Sequence, residues 1–244
     1  MSEREEVLLQ PGFVLHHRPF RNTSQLVDII TPEYGRIGVV AQGSRRPQSG
    51  SRALLQPFAP LRVSWVRRSE LGRLTQIEAA APPFELRGDG LMGAFYVNEL
   101  VLRLSVRGDP NSEVYSCYSA CLARLADQVS VARTLRFFEL SLLRALGYGL
   151  ELECDARTGE PLRPDGRYVF EYDSGPRIAA SVGEEPGAYW GRELIALRSG
   201  QLDDRDSLRA ARRLLGRALD VYLGDRPLKS RAVLKEIVER GFER

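Results

Sequence analysis

Leu61-Arg62-Val63-Ser64-Trp65-Val66-Arg67 decides the fold of the first third of the chain. Leu61, Val63 and Trp65 recur at every second position and so share one side of an extended strand, with Arg62, Ser64 and Arg67 broadly on the other. Outward from it, residues 13–17, 26–31, 36–41 and 71–79 read as further strands. Thr31-Pro32-Glu33-Tyr34-Gly35 supplies turn chemistry between the second and third. Five short strands so close together predict a small closed barrel, and the five-stranded OB barrel is the common choice for nucleic-acid work. Gly43-Ser44-Arg45-Arg46-Pro47-Gln48-Ser49-Gly50-Ser51-Arg52 interrupts the strands. Its Gly, Ser and Pro content predicts a mobile loop that carries three arginines.

After Pro82-Pro83 the hydrophobic period becomes helical. Residues 91–107 carry Ala94, Val97, Val101 and Leu104 on one side. Residues 113–128 carry Val114, Tyr118, Cys121 and Leu125. Residues 134–146 carry Leu135, Phe138, Leu142 and Leu146, with Gly147 as a left-handed stop. Three amphipathic helices in succession predict a small bundle. Residues 149–178 break the pattern around one hairpin strand at 168–172. Helix returns at 192–199 and 207–223, the latter turning Leu208, Ala211, Leu215 and Tyr222 inward and Arg209, Arg213 and Arg217 outward. The expected architecture is α+β: a barrel over 11–80 and a helical domain over 84–244, with an irregular hairpin insert at 149–178.

Charge divides along the same lines. The whole chain carries +3, yet ten arginines stand against four carboxylates between Gly12 and Ala80, a local excess of six. A basic module joined to a near-neutral one suggests that the first meets a polyanion and the second meets protein. Arginine outnumbers lysine 33 to 2, which reflects genome composition and is not read as selection for bidentate contacts. Three cysteines and the lack of a secretory or transmembrane run point to a reducing cytoplasm.

Catalytic chemistry finds little support. Gly88-Asp89-Gly90-Leu91-Met92-Gly93 matches a dinucleotide fingerprint, but a Pro-Pro pair stands just upstream and no second parallel strand follows, so a helix-entry loop is the better reading. His16 and His17 are adjacent on a strand and point to opposite faces. No serine sits in a nucleophile elbow, and the carboxylates do not cluster. Cys117 and Cys121, one helical turn apart, read as core filling more readily than as metal ligands. No enzyme, cofactor or metal is expected. Arginines on a small barrel with Phe13, Phe20, Tyr34 and Trp65 nearby offer phosphate neutralisation and stacking surfaces for single strands, although Trp65 reads as core.

The order of several blocks resembles the RecO family: Phe13-Val14-Leu15-His16-His17-Arg18-Pro19-Phe20, Ala41-Gln42-Gly43-Ser44-Arg45, Leu55-Gln56-Pro57-Phe58, Tyr96-Val97-Asn98-Glu99-Leu100, Leu135-Arg136-Phe137-Phe138-Glu139-Leu140 and Tyr222-Leu223-Gly224-Asp225-Arg226-Pro227. The resemblance implies an N-terminal OB domain, a helical C-terminal domain and, in some members, a four-cysteine zinc module between. Here only Cys154 lies between Gly149 and Ile178, so zinc is withheld and the hairpin is expected to rest on packing alone. The resemblance further implies a cytoplasmic, nucleoid-associated, non-enzymatic factor of DNA repair and recombination. Such a factor binds single- and double-stranded DNA, anneals complementary strands, and with RecR, and in many bacteria RecF, helps RecA load on gaps coated by the single-strand binding protein SSB. Arg18, Arg21, Arg36, Arg45, Arg46 and Arg52 are the expected DNA contacts. Arg136, with Leu135, Phe138 and Leu142, is expected to dock the acidic SSB tail. An adaptor whose basic barrel only meets acidic proteins is the alternative.

Overall fold

The computed structural model describes residues 4–127, 130–179 and 187–231. Five strands, β1 (Glu5–Phe20), β2 (Ser24–Thr31), β3 (Gly35–Ala41), β4 (Leu61–Arg67) and β5 (Leu71–Ala79), close into a barrel in the order β1-β2-β3-β5-β4. Closure depends on the length of β1. Its first half pairs antiparallel with β4, from Glu5↔Arg67 to Gly12↔Leu61, and its second half pairs with β2, from Phe13↔Ile30 to Phe20↔Ser24. The barrel therefore begins at Glu5 and not at 11. The paired acids Glu5 and Glu6 hide a strand whose Val7 enters the core.

Val14, Val27, Ile29, Val39, Val63 and Trp65 fill the barrel, and Tyr34 packs edge-on to Trp65 at 5.1 Å. Ser64 departs from the expected alternation. The register slips between Ser64 and Trp65, and the buried Ser64 Oγ accepts the N–H of Leu9, itself in the left-handed region at φ 48°. The arginine-bearing loop departs too: it is closed by successive turns (Arg46 N–H to Gly43 O, Ser49 N–H to Arg46 O) and ends in a helical turn, α1 (Ser51–Leu54). The buried Ser44 Oγ donates to Ala41 O and ties its start to β3.

Helices α2 (Gly88–Leu104) and α3 (Ser112–Ala126) belong to the barrel's compact unit, which spans 1–129 and 228–244; the second unit spans 130–227. The expected three-helix bundle is thus divided, because α2 and α3 bury their stripes on β1 and β2. Asn98 of α2 donates to Leu15 O at 2.9 Å and accepts from the buried Tyr118 hydroxyl of α3 at 2.5 Å. The Gly88–Gly93 motif forms the first turns of α2. A Cβ on Gly90 would stand 2.9 Å from Leu125 O, so this glycine serves close helix packing and not a pyrophosphate. Glu99 receives the backbone N–H groups of Lys229 and Ser230 and the Ser230 hydroxyl, which attaches 228–231 to this unit.

In the second unit α4 (Val131–Ala145) and α5 (Gly191–Ser199) pack on α6 (Arg205–Leu223), beside a small sheet of β6 (Arg167–Glu171), β7 (Gly175–Ile178) and β8 (Tyr189–Trp190). Asp204 caps α6 by accepting from Asp206 N–H and Ser207 N–H, so the helix starts two residues earlier than the periodicity predicts. Tyr222 does not face inward; it is exposed and stacks on Tyr148 at 3.9 Å. The last residue of the expected 113–128 helix lies outside the described residues.

Candidate nucleic-acid interface

One end of the barrel carries an open groove of about 520 Å³. Arg4 before β1, Phe20 and Arg21 at the β1–β2 turn, Val40 of β3 with Gln42 just after it, and Val66 to Ser69 with Leu71 to Arg73 of the β4–β5 hairpin make its walls. Five arginines line it, at positions 4, 21, 67, 68 and 73, and no carboxylate does. Arg67 is offset by an ion pair with Glu5, whereas Arg4, Arg21, Arg68 and Arg73 have no ion-pair partner among the described residues. Like charges in one concavity raise the local potential for an anion above what scattered surface arginines would produce. Phe20, half-buried, adds an aromatic wall with the Arg21 guanidinium 5.3 Å from its ring centre. Arg21 holds φ 52°, a conformation rare for a residue with a Cβ.

The six expected arginines separate. Arg21 lines the groove, and Arg45 is tied to the same turn through its N–H to Thr23 O at 2.9 Å and its guanidinium to the carbonyls of Arg21 and Asn22 at 3.4 Å. Arg18, Arg46 and Arg52 are exposed but outside the groove lining. Arg36 is engaged within the protein: it donates to Asp28 at 3.4 Å and to Ser105 O at 3.0 Å. Burial lowers its pKa, the Asp28 charge opposes that shift, and Arg107 adds a second cation on the same carboxylate at 2.6 Å. Arg67, Arg68 and Arg73 go beyond the six expected from sequence, although three arginines around one hairpin turn carry a signal. Arg4 lies before the expected start of the barrel. Trp65 is fully buried, as its place in the alternation predicts, and Phe13 is buried against Tyr118 at 5.2 Å, so neither offers a stacking face.

The family model for the Recombination protein O N terminal matches residues 5–83, and that for the Recombination protein O C terminal matches 86–232. Sequences named DNA repair protein RecO are similar along nearly their whole length. That of Nitrosococcus oceani is 46% identical over 235 residues, covering 96% of both chains, and that of Methylococcus capsulatus is 42% identical over 234 residues, again 96% of both. A Haemophilus influenzae protein of the same name is 40% identical over 228 residues, 93% of this chain and 96% of its own. The chain belongs to the RecO family. The N-terminal family segment coincides with the barrel, while the C-terminal one spans α2 and α3 as well as the second compact unit.

The residues present do not fit the four-cysteine zinc module that the resemblance implies for some members: Cys154 is the one cysteine between Gly149 and Ile178. The carboxylate next to Cys154 is already fully used. Asp155 Oδ1 accepts from the N–H groups of Arg157 and Thr158, each at 2.9 Å, and Oδ2 accepts from Ile178 N–H at 2.6 Å. Burial pushes the Asp155 pKa up, but these hydrogen bonds outweigh it and hold the carboxyl below its ordinary value. The hairpin therefore does not rest on packing alone; a buried carboxylate fastens its two ends. Cys117, the other cysteine weighed as a ligand, is pushed up to about 12 by burial and donates its thiol to Val114 O, conditions that oppose the thiolate a metal needs.

The RecO block around Arg136 lies on α4. Leu135, Phe138 and Leu142 are core residues of the second unit, and Arg136, 9% exposed, donates to the buried Glu139 at 2.5 Å. Arg136 is thus neither a solvated arginine nor an open cation at a pocket rim, because its charge is already matched.

Proposed function

We propose that this chain acts in DNA repair and recombination as a non-enzymatic mediator that holds DNA in the basic groove of its barrel and anneals complementary strands. The observation that supports this reading most is the groove itself: five arginines without a lining carboxylate, beside one half-buried aromatic ring. Phosphate neutralisation gives affinity without sequence preference, and a ring provides a base-stacking face. Annealing then needs no nucleotide. Two DNA strands repel through their phosphates, cations lower that repulsion, and base pairing supplies the driving force. Arg21, Arg68 and Arg73 would carry most of the neutralisation, Arg45 would hold the Arg21 turn in place, and exposed Arg18, Arg46 and Arg52 would extend the path of a strand or a duplex beyond the groove.

In this reading the second unit meets protein. Family membership supports partnership with RecR, in some bacteria RecF, and assistance to RecA on SSB-coated gaps, in the cytoplasm at the nucleoid. Arg136, as one half of the buried pair with Glu139, would contribute to docking of the acidic SSB tail together with Leu135, Phe138 and Leu142 of the same helix.

The test is the salt dependence of single-strand binding. With four to five phosphates neutralised, the log–log slope of affinity against salt should be roughly −3 to −3.5. Changing Arg21, Arg68 and Arg73 together to Gln should flatten it by about 2, since each phosphate no longer neutralised removes roughly 0.7 from the slope. An unchanged slope removes the groove from the DNA site. Binding of acidic protein without DNA would instead favour the adaptor.

A further inference from the structure

The second compact unit carries a cationic cluster that no part of the proposed function uses. Trp190 at the end of β8 has two guanidinium groups on its ring, Arg167 of β6 at 4.6 Å and Arg192 of α5 at 4.7 Å from the ring centre. Beside it Arg213 of α6 lies over the Tyr189 ring at 4.2 Å and donates to Ala188 O at 3.0 Å. Arg217, one turn on, stands so close that a Cβ on Gly187 would meet its guanidinium at 3.0 Å. Three elements thus bring four arginines to the segment 187–190, and none of the four has an ion-pair partner among the described residues. The nearest acid on the same turn, Glu193, is occupied in accepting the Trp190 N–H at 2.8 Å.

Like charges held near one another repel, and stacking on a ring fixes side chains that would otherwise spread into solvent. A guanidinium stacked on a ring also keeps its N–H donors in its own plane, free for the oxygens of an anion, which lysine could not do. The Trp190 ring itself is half-buried and Tyr189 buried, so the cluster offers guanidinium edges instead of an apolar opening. That favours a repeating anion over an acidic peptide, which would need a place for its apolar side chains.

We propose that Arg167 and Arg192 on Trp190, with Arg217 beside Gly187, form a second phosphate-binding site for a nucleic-acid backbone, separate from the barrel groove. The inference rests on the reading that the protein binds DNA, and it extends that reading: with one site on each unit, one molecule can hold two strands at once.

Trp65 and Trp190 are the only tryptophans, and Trp65 is fully buried, so acrylamide reaches Trp190 first. Oligo-dT added to the full chain should shield this fluorescence from acrylamide. In parallel, anisotropy titrations over a salt series should compare the parent, Arg167→Gln with Arg192→Gln, and the groove triple variant. The double variant should flatten the salt slope by about 1.4, as for two single-strand phosphates left without a cation, and should slow annealing. An unchanged slope in the double variant, with Trp190 unshielded in the parent, overturns the second site while a weakened groove variant leaves the function intact. Loss of poly-glutamate binding without loss of DNA binding overturns it in favour of a protein ligand. An unaffected groove variant sinks the function reading instead. If the double variant does not fold, shielding of Trp190 in the parent decides alone.

Discussion

At the scale of single residues, two buried carboxylates act in opposite ways. Glu139 is 1% exposed and its partner Arg136 9%, so both charges of this ion pair are buried. Removing one partner of such a pair usually costs about 3–5 kcal/mol, because an uncompensated charge is left behind, whereas replacing both with apolar groups is often close to neutral. Arg136→Ala should therefore destabilise the second unit by an amount in that range. Arg136→Met combined with Glu139→Leu should recover most of it in urea unfolding. Equal midpoints for parent and Arg136→Ala would show that the pair is not buried as described. It follows that a loss of SSB-tail binding in Arg136→Ala alone proves little, and the double variant is the cleaner probe. Asp155 is different, since its partners are backbone N–H groups. Its folded-state pKa lies below the unfolded value, so its contribution is complete above about pH 4 and is lost as pH falls through the folded value. Thermal unfolding followed over acidic pH should show a steep fall below about pH 4. Asp155→Ala should start lower at neutral pH and fall less in that window. A parallel pair of curves would mean that the carboxylate does not fasten the hairpin.

At the scale of elements, Gly90 marks the closest approach of α2 to α3. Gly90→Val places side-chain atoms where Leu125 O already stands at 2.9 Å from an added Cβ, so one helix must shift, at a cost of about 1–3 kcal/mol. Guanidinium denaturation checks it, and a variant as stable as the parent would contradict the packing. The same position shows what the sequence could reveal. Its pattern matches a cofactor fingerprint, and only the surrounding elements argue otherwise; that Leu125 is the reason for the glycine is a tertiary fact. Strand β4 is legible because Leu61, Val63 and Trp65 alternate towards the core, and its bounds Leu61–Arg67 follow from that; the buried Ser64 is not, because it serves a register slip. The start of β1 is not, because Glu5 and Glu6 serve a strand whose outer side is wet. Helical periodicity likewise reveals α2, α3 and α4 but not their partners. An amphipathic stripe states that a helix is covered, not by what, and here two stripes meet the barrel and one meets α6.

At the scale of the whole molecule, the local excess of positive charge is readable by counting, and the family by the order of its blocks. The site within that charge is not. Arg36 counts as one of the excess arginines, but Asp28 and Ser105 O hold it, while Arg4, Arg68 and Arg73 are gathered by closure of the barrel and by the β4–β5 turn. Counting weighs every arginine alike; an anion responds to those that converge without a carboxylate between them. In the proposed function this convergence, and no hydrolysis, drives annealing. The most direct test is the rate at which complementary, dye-labelled oligonucleotides pair in the presence of the full chain, without nucleotide or divalent metal, for the parent and for the Arg21→Gln, Arg68→Gln, Arg73→Gln variant at equal folded concentration. The parent should accelerate pairing at low salt and lose the effect as salt rises, and the variant should be slower at every salt concentration below that point. A variant that anneals as fast as the parent, or a parent that needs nucleotide to anneal at all, would contradict it.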